Sequence, residues 1–419
     1  MPVIIFAGIR HFYYLDPFID NISFKSSDSP AFVTIVPELH AYGIHYFGDY
    51  LLPSYWASLK NPWLEAEIVT YPPLPILIFK FFGLFEYRTG LLFFLAFMLC
   101  AMLAPLILTL RMKKNKNWIA VTLLVGACSG PLIITMDRGN IIGLMPLLYF
   151  GVVYLAHKKK WKSSSSLLAI SIALKYYPVV LLVIFLKERQ FWRIFITLLQ
   201  SFLLIIGLAL IFPGDKFEIL VGLVKGAIPF LTQNESPFLC YNVSFTSGLA
   251  HIATMTGKSE LTLWIVRNSN LVSVLMTLAI AGIILLTKAS KRLQYLMAMS
   301  LTTILPSRIY SYSFNYVLAS VAILILLNAG VEAKNSEVVK TRKISERIFT
   351  KDISNSLALF SLVLLLVPWP IAIPMTVVSG CTTSIIGIVG VFSIFILMLA
   401  VFVEKQSEKI ESHVPSKSH

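Results

Sequence analysis

The sequence predicts an all-α, polytopic bundle of transmembrane helices, and three observations predict it. Hydrophobic residues fill 57% of the 419 positions, while Asp, Glu, Lys and Arg supply only 13%. That is too little charge for a water-facing surface of such size. Apolar runs of spanning length recur along the chain, and between them the basic residues gather in short clusters at 111–116, 158–162, 187–193, 288–292 and 334–351.

Those clusters decide what the formal net charge of +14 means. Lys and Arg are translocated with difficulty, so such clusters mark the cytoplasmic ends of membrane helices, and no nucleic acid partner is expected. If the clusters with their flanks and the tail after Val403 share one side, that side holds 23 Lys and Arg against 8 Asp and Glu. The opposite side then holds 11 against 13, and one Lys stays within the membrane. The four cysteines, Cys100, Cys128, Cys240 and Cys381, have neither metal-ligand spacing nor the look of a disulfide framework. No metal site and no cofactor is expected.

Taken in order, residues 1–89 form a first outer segment. Residues 2–9 are apolar but too short to span, which reads as a chain that begins after a first helix. No signal-peptide pattern or internal repeat is evident. Spanning segments follow at Leu91–Leu110, Trp118–Met136, Ile141–Ala156, Arg193–Phe212, Val272–Leu286, Leu293–Leu305, Phe314–Leu327, Leu357–Met375 and Ser384–Val403. A hydrocarbon core of about 30 Å needs roughly 20 helical residues, so the shorter runs extend into polar flanks, and about ten or eleven membrane segments are expected. Residues 90–212 hold the first group of helices and 268–403 the second. Between them, 213–267 is a second outer loop rich in aromatics, Pro and Asn, expected to pack over the bundle as short interfacial helices. Residues 404–419 form a cytoplasmic tail, and the whole chain is one membrane domain.

Ser163–Leu186 breaks the alternation. It has positive clusters on both sides but only about one span of apolar sequence, interrupted by Pro178 just after Lys175-Tyr176-Tyr177. Two short legs meeting inside the protein, a broken or re-entrant pair near 163–186, leave both clusters on the cytoplasmic side. Non-helical backbone at that depth requires a cavity or a protein surround.

An intramembrane charge is costly, so Lys175 is the first candidate for function. Its ammonium can bind the phosphate of a lipid carrier in a polar cavity; otherwise it snorkels or pairs with a carboxylate to hold the bundle. Tyr176 and Tyr177 read as interface anchors. Asp137-Arg138-Gly139-Asn140 joins two helices at the outer boundary, where it can set amide donors and a guanidinium against a phosphate or sugar hydroxyls. Alternatively Asp137 and Arg138 neutralise each other in a tight turn.

Asp49, in Phe47-Gly48-Asp49-Tyr50, precedes Asn61-Pro62-Trp63 and Tyr71-Pro72-Pro73. A carboxylate there can serve as general base toward an acceptor hydroxyl, or be a solvated loop residue; Asp16, Asp20, Glu65 and Glu67 compete for the role. Asn242 and Ser244 either bond sugar or cap a helix starting near Ser247. Arg308, between two late helices, either neutralises a second phosphate charge or anchors its helix at the headgroups.

Several of these pieces together resemble glycosyltransferase family 87, whose members include polyprenol-phosphate-mannose-dependent mannosyltransferases. Asp137 to Arg193 is similar to the family's Gly-x-x-Asn turn and later Lys-x-x-Pro element. The Asp49, Asn61-Pro62, Tyr71-Pro72-Pro73 succession resembles its first outer loop, and Asn242 with Ser244 its Asn-x-Ser motif. The motifs are short, and their order from about Gly48 to Asn328 carries the likeness. Where many relatives have Trp and His near the outer end of a late helix, this chain has Ile309, Tyr310, Tyr312 and Asn315.

The resemblance implies a GT-C bundle that moves a hexose, by implication mannose, from a polyprenyl-phosphate-sugar to a glycolipid or glycan acceptor. It implies inversion, with Asp49 as base and Lys175, Arg138 or Arg308 facing the departing phosphate. It also implies a bacterial plasma membrane, with the site on the extracytoplasmic side. The competing class is a multi-pass transporter or lipid flippase, which also needs broken helices and buried cations.

Overall fold

The computed structural model describes residues 48–66, 69–113, 129–232, 244–306, 314–335, 342–366, 373–377, 381–383 and 385–412. Among the described residues, four helices are long and apolar enough to cross a bilayer: Arg88–Met112, Phe191–Ala209, Ser269–Leu286 and Ile388–Lys405. Shorter apolar helices, among them Pro73–Phe82, Ile141–His157 and Tyr177–Lys187, fill out the bundle. The chain is an all-α, multi-pass membrane protein.

The described part of the first segment contributes α1 (Gly48–Ser58), the short α2 (Pro62–Glu65) and α3 (Pro73–Phe82). Prolines sit inside or open each of them, where a missing amide donor is tolerated in the first turn and interrupts the ladder elsewhere. Helix α4 (Tyr87–Lys113) packs beneath them. Tyr50, Phe79 and Phe94 are buried with ring centroids 5.0–5.8 Å apart, each pair worth about 0.5–1.5 kcal/mol beyond its area. Gly90 permits the crossing, because a Cβ there would lie 2.4 Å from the Phe82 carbonyl oxygen.

Next come α5 (Gly130–Arg138), a 3-10 turn (Ile141–Leu144) and α6 (Met145–His157). The front of the expected Trp118–Met136 span, residues 114–128, lies outside the described residues. Helix α7 (Trp161–Leu174) then ends at Lys175, whose backbone is extended. A second 3-10 turn (Tyr177–Leu181) and α8 (Leu182–Lys187) carry the chain back. The Trp161 and Phe185 rings meet at 5.8 Å, so the two legs return to the same end. Pro178 lies in the first residues of the 3-10 turn and disfavours helix at the residue before it. The Tyr177 hydroxyl is buried, whereas an interface anchor would present it at the headgroups.

Three of the basic loops, at 158–162, 187–193 and 288–292, gather at one end. Helix α6 runs from the Asn140 turn to Lys158–Lys160, roughly 25 Å away. Helix α9 (Phe191–Ala209) starts beside that loop, with Ser165 and Thr197 hydroxyls 2.8 Å apart. Lys187 Nζ donates to the carbonyls of Leu285 and Thr287 at 2.8 Å. Lys291 pairs with Glu188 at 2.8 Å, and Arg292 reaches Glu404 at 3.2 Å.

Among the described residues after α9, the chain forms α10 (Lys216–Thr232), α11 (Phe245–Met255) and α12 (Ser259–Arg267). This stretch clasps the first segment. Asn61 Nδ2 donates to the Pro213 carbonyl at 2.6 Å, and Trp63 meets Phe212 edge-on at 5.0 Å. Gly222 and Gly226, one turn apart on α10, lie against Trp63 and Val69; a Cβ at Gly226 would sit 1.9 Å from the Val69 carbonyl oxygen. Side chains at either position would push this clasp apart.

Helices α13 (Ser269–Leu286), α14 (Lys291–Ile304), α15 (Tyr316–Asn335), α16 (Arg342–Leu366) and α17 (Ile385–Ser412) complete the bundle. The expected Leu357–Met375 span is not one continuous helix: α16 is described to Leu366. Ile373–Val377 instead pairs with Cys381–Thr383 as a small antiparallel hairpin, β1–β2. Pro368, Pro370 and Pro374 cannot continue a helix.

Candidate active site

At the end opposite the basic loops, the Asp137–Asn140 turn is built by local rules. Ser129 caps the start of α5, accepting from the Leu132 amide at 3.3 Å. Gly139 closes the helix in the left-handed conformation at φ 63°, which glycine adopts without strain. The Asn140 amide returns to the Thr135 carbonyl at 3.2 Å. Asn140 then caps the following 3-10 turn, its Oδ1 accepting from the Ile142 amide at 2.9 Å. With that oxygen used, Nδ2 points away from the turn.

It points at Asp49. Asn140 Nδ2 donates to Asp49 Oδ2 at 2.7 Å. Arg138 donates from Nη2 to Oδ1 at 2.9 Å and from Nε to Oδ2. The two planar groups meet as a bidentate fork, the strongest form of such a pair. This partner of the guanidinium lies 89 positions away in the chain. Little of either side chain reaches solvent, 10% of Arg138 and 19% of Asp49.

Lys175 arrives from the tip of the α7–α8 hairpin. Its Nζ lies 3.8 Å from the centroid of the Tyr71 ring, a contact worth about 2 kcal/mol when desolvated. Tyr71 is buried against Trp56 and Phe79. Burial, then the negative charge of Asp49, hold its phenol well above the usual range, partly offset by Arg138 and the Asn140 side chain. The phenol therefore stays neutral. Lys175 also lies within electrostatic range of both Asp49 and Arg138. Four segments far apart in sequence so converge: Asp49, Tyr71, the Arg138–Asn140 turn and Lys175.

Two other candidates serve helix caps. Ser244 is buried and caps α11, accepting from the Ser247 amide at 3.2 Å. Glu65 is exposed, and its Oε1 accepts from the Asn61 amide at 2.6 Å, which commits it to a cap. Asp16, Asp20, Glu67, Asn242, Arg308 and the side chain of Asp137 lie outside the described residues. One supporting residue was not singled out as a site candidate from sequence. Asn315, fully buried, donates to Thr135 Oγ1 at the base of the turn. Its position beside Tyr316 on an apolar run gave no sign of that contact.

A multi-pass bundle with a buried ionic cluster at one end of its helices is the class of protein defined so far. Over residues 70–311, more than half of the chain, the sequence matches the model of glycosyltransferase family 87. The chain belongs to that family and is a membrane glycosyltransferase. No curated protein matches it. The matched stretch contains Tyr71, the Arg138–Asn140 turn and Lys175, and begins after Asp49. Contact with Arg138 and Asn140 is what ties Asp49 to the family region.

Proposed function

We propose that the protein transfers a hexose, mannose by family likeness, from a polyprenyl-phosphate-sugar to a hydroxyl of a glycolipid or glycan at the outer face of a plasma membrane, with inversion. The Asp49–Arg138 pair, flanked by Asn140 and the Lys175–Tyr71 contact, is the observation that carries this reading. It offers a carboxylate and two cations in one partly dry site, as displacement of a phosphate by a hydroxyl requires.

The acceptor oxygen attacks the anomeric carbon as the bond to the phosphate oxygen breaks. The electron pair leaves with polyprenyl phosphate, and the acceptor proton passes to Asp49. A carboxylate that accepts three hydrogen bonds is a weak base, so the resting arrangement holds Asp49 back. An arriving phosphate competes for Arg138, because phosphate and carboxylate suit the same fork. As the guanidinium turns to it, its two bonds leave Asp49 and the carboxylate becomes more basic. Lys175 adds positive charge where the phosphate becomes more negative.

Asp49→Asn tests the base. Transfer from labelled polyprenyl-phosphate-mannose should fall by at least about 100-fold, while donor binding persists; undiminished transfer removes Asp49 from the mechanism. The donor class is tested separately: purified enzyme that uses a sugar nucleotide without any polyprenyl phosphate contradicts it, whatever Asp49 does.

A further inference from the structure

We infer that the paired loops at 158–162 and 187–193 form a binding surface for anionic phospholipid headgroups, at the far end of the bundle from the active site. The hairpin sets the two loops side by side: Ser165 Oγ lies 3.4 Å from the Arg193 carbonyl and 2.8 Å from Thr197 Oγ1. Between them they carry Lys158, Lys159, Lys160, Lys162, Lys187, Arg189 and Arg193 against a single carboxylate, Glu188.

Three of the charges are spoken for. Glu188 pairs with Lys291 at 2.8 Å, Lys187 is held by two carbonyls, and Lys158 lies over the Tyr154 ring at 5.9 Å. Among the described residues, Lys159, Lys160, Lys162, Arg189 and Arg193 make no ion pair, and all but Arg193 are exposed. Neighbouring aromatic rings fix the depth. Phe191, Trp192 and Phe195 are 61%, 66% and 53% exposed, with Trp192 stacked on Phe195 at 5.2 Å. They open the span Phe191–Ala209, and such rings settle at headgroup level. A partner for this surface must therefore lie in the headgroup layer and be negative, which selects anionic lipid over nucleic acid or an acidic protein.

Backbone geometry supplies a clean variant. Lys159 and Arg189 have φ of 57° and 56°, and each follows a helix end, at α6 and α8. Glycine suits that conformation better than either residue. Lys159→Gly with Arg189→Gly therefore removes two cations without straining the fold.

The experiment places both proteins in bilayer discs of phosphatidylcholine with and without phosphatidylglycerol. It reads retained lipid by native mass spectrometry and unfolding temperature in each disc. The wild type should prefer phosphatidylglycerol, and the double variant should lose that preference by about fivefold for each cation removed. In pure phosphatidylcholine the variant should unfold no earlier than the wild type. No wild-type preference, or a preference the variant keeps, overturns the inference. Lys162→Gln with Arg193→Gln repeats the test with the turns intact.

Discussion

The two ends of the bundle use positive charge in opposite ways. At the Asp49 end, Arg138 and Lys175 each have a specific partner, a carboxylate fork and a ring face. At the basic end most cations face outward, and Lys291 and Glu188 form a pair whose Lys is half exposed. Charge held in place and partly dried can act on one bond, because neither water nor side-chain motion dilutes it. Exposed charge acts on a surface, additively and with little demand on geometry.

Exchanging cation types tests that difference most severely. Arg138→Lys keeps the charge but cannot bond both Asp49 oxygens, and transfer should drop by about 10²–10³-fold in a membrane assay with labelled donor. Lys291→Arg, the corresponding exchange in the exposed pair, should move stability by under about 0.5 kcal/mol and leave transfer unchanged. A comparable loss from both would erase the contrast.

A smaller effect separates the two parts of Tyr71. Tyr71→Leu removes the ring under Lys175 and should lower transfer about tenfold, the worth of roughly 1–2 kcal/mol of cation–π attraction. Tyr71→Phe keeps the ring and should retain most activity, because the neutral phenol contributes no charge. Equal losses would assign the role to the hydroxyl and its contact with Asn140.

The smallest change is expected at Ser244. Ser244→Ala removes a helix cap and should cost about 1 kcal/mol in unfolding measurements, with transfer otherwise intact. A large loss of transfer at unchanged stability would bring Ser244 into the site.

Much of this protein is legible in its amino-acid order. Lipid as solvent forces helices, so composition and the recurring apolar runs reveal the class of the bundle. Lys175 stood out because a charge in an apolar run is expensive, and the Asp-Arg-Gly-Asn turn because glycine punctuates helices. Hydropathy alone extends α16 too far, because the apolar run beyond it carries three prolines. Neither local propensity nor hydropathy reports which distant side chain a residue will meet.

That Arg138 closes on Asp49, 89 positions away, that Lys175 rests on Tyr71, and that Asn315 props the turn from another helix were decided only by tertiary structure. Each is a contact between segments whose separation along the chain carries no local signal. It exists because the bundle brings the helix ends together and, once there, a buried charge must find its partner.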